Sequence, residues 1–281
     1  MRRLILRPGA IGDFIVSLPT LEYLAQQMEG GSPNPQGVPR PRSADYTEIW
    51  TTAANRPLVR FADRVESLAA TGIDRAGLTG DPITGPLYER LAAFDQIISW
   101  YGSNRPEFRQ AVAGLPFTFH TALPSEGCPC HAVDFYLDQV GAPRGATPTL
   151  PIPRRNEGWL AIHPYSGSAR KNWPLANFEA VAEAVGVPVR WTAGPEEPLP
   201  QATRFDDLFD LATWLAGASV YLGNDSGISH LAAAVGIPVV ALFGPTNPAI
   251  WAPRGPQVTV LRTPIDVPSV IAALAVTQLR E

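Results

Sequence analysis

The 281-residue chain almost lacks lysine: of its 22 basic residues, all but Lys171 are arginine. A lone ammonium among guanidinium groups is either an accident of composition or the mark of a position that needs a compact point charge rather than a planar fork. Cysteine is nearly as scarce, and Cys128 and Cys130 exclude a disulfide framework. The run Cys-Pro-Cys-His at 128–131 lacks the paired spacing of a zinc site, so no metal is expected there. The formal net charge of -4 excludes a general nucleic-acid binder. No apolar run approaches the roughly 18 residues of a membrane span, and the chain opens on the strand-like RLILR rather than on a secretory leader. The expectation is a cytoplasmic protein without a transmembrane segment, with contact at the inner face of the membrane left open. The loop after the first strand is not GxGxxG, so it implies no dinucleotide site. Acidic metal clusters of the DxD kind are also missing.

What is present is a 45% hydrophobic chain, enough for one large α/β domain or two small ones. Strand-type and helix-type runs alternate along it. Strands are expected at Leu4–Leu6, Glu48–Thr52, Val65–Leu68, Gln96–Trp100 and Phe117–Thr121, and helices from Asp13, at Leu87–Phe94, Arg105–Ala113 and Val133–Val140. Such alternation implies a parallel sheet with helices on both faces. Pro19 predicts a bend or boundary in the first helix. Residues 29–43 carry Gly and Pro without periodicity and read as a mobile loop or insertion. Residues 141–157 form the best boundary, extended and rich in Pro and Gly. A second alternation follows, with strands at Trp159–His163 and Val187–Thr192 and helices at Leu175–Val185 and Phe205–Leu215. The domains expected are thus 1–145 and 146–268, with a closing helix over 269–281.

The chain is organised around residues 218–255. Val220–Leu222 is a short strand run. Gly223, Asn224, Asp225, Ser226 and Gly227 are turn and N-cap residues that cannot continue it. Helical spacing follows to Gly236, and Ile237–Phe243 reads as a strand buried on both faces. Such a unit aims a helix N-terminus, partly positive, at whatever sits beyond the strand ends. Asp225 alone reads as a cap and His230 alone as a structural histidine. Asp, Ser, Gly and His on one corner point to a polar ligand.

Three segments carry a family resemblance. RPGAIGDFIVSLPTLEYL at the start, HPYSGSARKNWPLANF in the centre and GNDSGISHLAAAVGIPVVALFGPTNP near the end resemble, in order, the motifs of glycosyltransferase family 9. These are the heptosyltransferases of lipopolysaccharide core assembly. The resemblance implies the GT-B fold: two Rossmann-like parallel-sheet domains facing a cleft, the N-terminal one binding acceptor and the C-terminal one the nucleotide sugar. It also implies a last helix crossing back onto the first half.

The activity implied is inverting, metal-independent transfer of heptose from ADP-heptose to a Kdo- or heptose-containing lipid acceptor at the membrane surface. No cofactor is implied beyond the donor itself. By position, Asp13 matches the proposed catalytic base, although on its own it reads equally as a helix cap. Lys171, with Ser166 and Gly167 of the central loop, and Ser226, Gly227 and His230 suit the departing diphosphate. Glu197 is matched to the ribose contact, with Glu196 as its neighbour and alternative. Asp225 is matched to a donor contact, on sugar hydroxyls or backbone amides. Gly12, Arg56 and Arg60 fall to the acceptor, or the two arginines are simply solvated. The alternatives are an enzyme using another nucleotide sugar, including an epimerase, and a non-catalytic nucleotide-sugar binder.

Overall fold

The computed structural model describes residues 1–27, 45–78 and 81–278; the expected loop at 29–43 lies outside them. The chain forms two compact units, Met1–Gly9 with Thr20–Pro124, and Ala10–Pro19 with Ser125–Glu281.

In the first unit, β1 (Arg2–Leu6), β2 (Tyr46–Thr51), β3 (Arg64–Ser67), β4 (Gln96–Ser99) and β5 (Phe117–Phe119) make a parallel sheet in the order β3-β2-β1-β4-β5. The central strand β1 is buried from Arg3 to Leu6, as its apolar run requires. Helices α3 (Leu68–Thr71), α4 (Gly85–Ala92) and α5 (Pro106–Ala111) follow β3 and β4. The core gathers Leu4, Leu6, Trp50, Ile97 and Phe108.

The first helix is split where Pro19 predicts. A short α1 (Ile11–Ile15) ends at Val16, and α2 (Leu18–Gln26) restarts with Pro19 at its second position, where no intrahelical N–H is needed. α1 belongs to the second unit.

In the second unit, β6 (Leu160–His163), β7 (Val189–Trp191), β8 (Val220–Asn224), β9 (Val239–Phe243) and β10 (Val258–Arg262) form a parallel sheet in the order β10-β9-β8-β6-β7. Its helices are α6 (Ala132–Gln139), α7 (Leu175–Ala184), α8 (Leu208–Leu215), α9 (Gly227–Val235), α10 (Pro248–Trp251) and α11 (Val267–Gln278). The strand order reverses between β6 and β8, and in open α/β sheets ligands bind beyond the strand ends at such a switch point.

Two expected boundaries move. The longer stretch of the second unit begins at Ser125, well before 141–157, because α6 is fastened into it. Arg254 pairs with Asp134 at 2.7 Å, His131 Nε2 meets Ala252 O at 2.8 Å, and the Leu150 and Glu157 amides donate to Ala234 and Gly217 carbonyls. The C-terminal helix, expected on the first half, instead puts Val270 and Leu274 into the core of the second sheet, against α7 and β9.

Candidate functional site

The ends of β6 and β8 are stitched together by one side chain. Asn224 is fully buried; its amide donates to Pro164 O at 2.7 Å, and its Oδ1 accepts from the Trp173 N–H at 2.9 Å. Both ends of the polar loop 164–173 are thereby drawn onto β8. Ser226, not Asp225, caps α9: its backbone is extended and its hydroxyl accepts from Ser229 N. Ser229 in turn donates to Asn224 O at 2.5 Å.

Within that loop, Ser166 Oγ lies 2.8 Å from Ser168 O and 2.7 Å from Asn172 Oδ1, and Gly167 is exposed between them. Lys171 closes the short 3-10 turn Ala169–Lys171 and reaches back to β8: its Nζ is 2.8 Å from Asp225 Oδ2. The carboxylate is 6% exposed and the ammonium about a third. The approach is off the hydrogen-bond direction, so the pair is Coulombic and the oxygen retains an unused lone pair. Within the protein, the Asp225 carboxylate is paired with Lys171. An ammonium held this way faces a new anion with its position already set.

On the other side of β6, Glu197 Oε2 accepts from Gly194 N at 2.5 Å and lies 3.1 Å from His163 Nε2. Burial pulls the Glu197 carboxyl up, but these donors outweigh it and hold it below the usual carboxylate range. Glu196 is exposed and has no such setting. His163 and Gly194 escaped the sequence reading; the signal was a histidine ending an apolar strand run beside a Gly-Pro-Glu-Glu turn.

His230 is buried in the first turns of α9, and burial takes its imidazole down to about 4, with Asp225 pulling the other way and His131 and Lys171 adding to the fall. It is a neutral ring at neutral pH. Against it packs the N-terminus of α1. A Cβ at Gly12 would lie 3.2 Å from His230 Cδ2, and one at Gly227 would meet Ile11 Cβ at 2.7 Å and Gly12 N at 3.0 Å. Two glycines thus let two helix N-termini meet, and Asp13 lies in the first turn of one of them. The cap of α1 is Ala10, so the capping reading of Asp13 does not hold.

The structure thus brings Gly12, Lys171, Asp225, Ser226, Gly227 and His230 to neighbouring corners of one unit, on the helix that carries Asp13 or at the strand ends, with Ser166, Gly167 and Glu197 on the adjoining loops. Arg56 and Arg60 belong to the other unit, in and beside the 3-10 turn Arg56–Leu58, and are exposed. In the Cys-Pro-Cys-His run the sulfurs are 3.5 Å apart, and burial with the neighbouring Cys128 pushes the Cys130 thiol up to about 11. His131 spends both ring nitrogens on Val133 N and Ala252 O. Among the described residues no three His, Cys, Asp or Glu side chains gather as metal ligands. No helix among them is long and apolar enough to cross a membrane.

The family model described as glycosyltransferase family 9 (heptosyltransferase) matches residues 136–270. Lipopolysaccharide heptosyltransferase 1 of Pseudomonas aeruginosa is 34% identical over 91% of this chain and 82% of its own. Among solved structures, the ADP-heptose lipopolysaccharide heptosyltransferase II of E. coli superposes with a TM-score of 0.72 at 15% identity, covering 100% of this chain and 99% of the other. The E. coli heptosyltransferase WaaC with ADP gives 0.65 at 16%, covering 99% and 100%. The two Rossmann-like parallel-sheet domains are those of the GT-B fold.

Proposed function

Because the chain belongs to glycosyltransferase family 9 and is a heptose-transferring enzyme of lipopolysaccharide core synthesis, we propose that its donor is ADP-heptose and that transfer inverts the anomeric centre without a metal ion. The acceptor hydroxyl, of a Kdo or heptose on a lipid at the membrane surface, attacks the anomeric carbon and gives its proton to Asp13. A positioned carboxylate base contributes roughly 10²–10⁴-fold. The bond from that carbon to the diphosphate oxygen breaks, and its electron pair leaves with ADP.

The observation that carries this reading is the Lys171 ammonium held 2.8 Å from a buried Asp225, one residue before the cap of α9. Charge developing on the diphosphate meets that ammonium and the free N–H groups of the helix start, a preorganised environment that needs no divalent cation. His230, a neutral ring, can offer the diphosphate a ring N–H but no charge. Ser166 and Gly167 line the same loop, and Glu197 accepts the ribose hydroxyls. Gly12, Arg56 and Arg60 are assigned to the acceptor.

The test is turnover of ADP-heptose on a Kdo-lipid acceptor in excess EDTA, with the new linkage's anomeric configuration read by NMR. Release of ADP with inversion is expected. Retention, an absolute need for a divalent cation, or turnover only with another nucleotide sugar would overturn the proposal.

A further inference from the structure

His163 is a buried histidine whose one polar commitment is to another side chain. It ends β6, at the strand-order reversal, and is 5% exposed. Its Nε2 lies 3.1 Å from Glu197 Oε2, and its Nδ1 is buried with no partner. An ionised carboxylate only accepts, so Nε2 carries the proton and the orphaned Nδ1 is the acceptor. A leucine would fill the end of an apolar strand without stranding a polar atom. The imidazole therefore earns its place through Glu197.

The carboxylate it holds is lopsided. Oε2 takes both donors, His163 Nε2 and Gly194 N. Oε1 has no partner among the described residues, and the side chain is 27% exposed. Gly194 permits the arrangement, since a Cβ there would crowd Glu197 Cδ at 3.3 Å and Oε2 at 3.4 Å. Two donors converging on one oxygen fix the rotation of the carboxylate and leave the second oxygen for a ligand hydroxyl.

We propose that His163 is a positioning residue for donor recognition: with Gly194 N it locks Glu197 so that the unpartnered carboxylate oxygen receives the vicinal diol of the nucleotide ribose. The inference rests on the reading of Glu197 as the ribose acceptor and adds what sets that acceptor's geometry. His163 itself touches no substrate. Its effect belongs to ground-state donor binding, so its loss raises the donor KM and leaves kcat nearly unchanged.

The experiment compares ADP with 2′,3′-dideoxy-ADP by titration calorimetry on the intact chain, in wild type, Glu197→Ala, His163→Asn, His163→Gln and His163→Leu. Wild type is expected to prefer ADP by roughly tenfold or more, the scale of hydrogen bonds to a charged group, and Glu197→Ala to erase that preference. His163→Leu and His163→Asn, whose amide falls short of the Nε2 position, should lose most of it. His163→Gln, whose amide nitrogen reaches that position, should keep most of it; a merely structural histidine would not sort Gln from Asn by ribose preference. Equal binding of both nucleotides by wild type overturns the Glu197 reading and the proposal with it. Preference lost in Glu197→Ala yet intact in folded His163→Asn overturns the proposal alone. Should His163→Leu fail to fold, the Asn and Gln pair decides the matter.

Discussion

Glu48 and Glu197, one acid in each unit, are treated in opposite ways. Glu48 stands inside β2 and is 2% exposed. Its Oε1 accepts from Trp50 Nε1 at 2.6 Å and from Arg90, and its Oε2 accepts from the Tyr46 hydroxyl at 3.0 Å. Both oxygens of that carboxylate are spoken for, as a buried charge requires. Glu197 satisfies one oxygen and leaves the other. The same contrast separates the loops at the strand ends. After β1, the Asn55 amide nitrogen and Thr51 hydroxyl are spent on Gly9 and Arg7 carbonyls, which fixes backbone and leaves Asn55 Oδ1 buried without a partner. After β6 and β8, the fixing falls on side chains that still have capacity: the Lys171 ammonium, Asp225 Oδ2, Glu197 Oε1. Charged groups held rigidly with capacity to spare mark these loops, rather than those after β1, as the candidate site.

The largest expected effect is on Asp13, which lies early in the chain yet packs with the second unit. Asp13→Asn keeps size and removes the proton acceptor. Donor affinity should stay near normal and transfer should fall by roughly 10² or more, the range of a lost general base. Single-turnover rates with saturating donor measure it. Full activity in Asp13→Asn would move the base elsewhere.

Next comes the neutral His230. Its folded value of about 4 lies below the ordinary 6.5, so the unfolded chain takes up the proton first. Stability from this residue is complete above about pH 6.5 and is lost as the pH falls to about 4, by about 3 kcal/mol in all. His230→Gln should flatten that part of the stability–pH curve in urea unfolding relative to wild type. Asp134, which Arg254 holds down to about 2, titrates below this window and is common to both. Parallel curves for variant and wild type would mean that the ring is not kept neutral.

Much of this was legible before any coordinates. The alternation of apolar runs gave strands within a residue or two, because buried parallel strands leave continuous hydrophobic stretches: Trp159–His163 expected, Leu160–His163 found. Val258–Arg262 remains unassigned from sequence, since it is a half-buried edge strand after a Pro- and Gly-rich stretch and owes its identity to pairing with β9. The motifs named Lys171, Asp225 and Glu197, but not that the first two are partners. Residues 54 positions apart in the chain meet only because β8 lies beside β6 in the sheet. The seat of Val270 and Leu274 in the second sheet's core was not legible for a similar reason: apolar residues announce burial, not the surface that buries them.

Lys171 and Asp225 test that pairing. Lys171→Ala should lose roughly 10² in kcat/KM, the scale of one charge-stabilising donor, and Lys171→Arg should recover only part of it, a guanidinium being wider and committed to a fork. Asp225→Ala should cost roughly tenfold and, combined with Lys171→Ala, add little, because contacting residues are not additive. Steady-state kinetics of wild type, the two single alanine variants and the double variant form the cycle, with Lys171→Arg measured beside it. Wild-type rates for Lys171→Arg would make the solitary lysine an accident of composition, and strict additivity would mean that the ion pair does not position the ammonium.

The smallest effects are expected where the first unit offers only surface charge. Arg56 and Arg60 are exposed, so water and salt compete for whatever anion they meet. An exposed ion contact contributes ~0.2–1 kcal/mol, which is roughly a one- to fivefold change in KM. Arg56→Ala and Arg60→Ala should therefore raise the acceptor KM within that range, leave the donor KM alone, and show less effect as salt rises, since screening acts on exposed charges first. Acceptor titrations at low and high ionic strength measure all three. A 10²-fold loss that persists in high salt would put these guanidinium groups in the same class as Lys171, rigid and desolvated when acceptor is bound. The contrast between the two units would then describe the ligand-free protein alone. No change at either salt concentration would return both arginines to solvent and leave acceptor recognition to other residues.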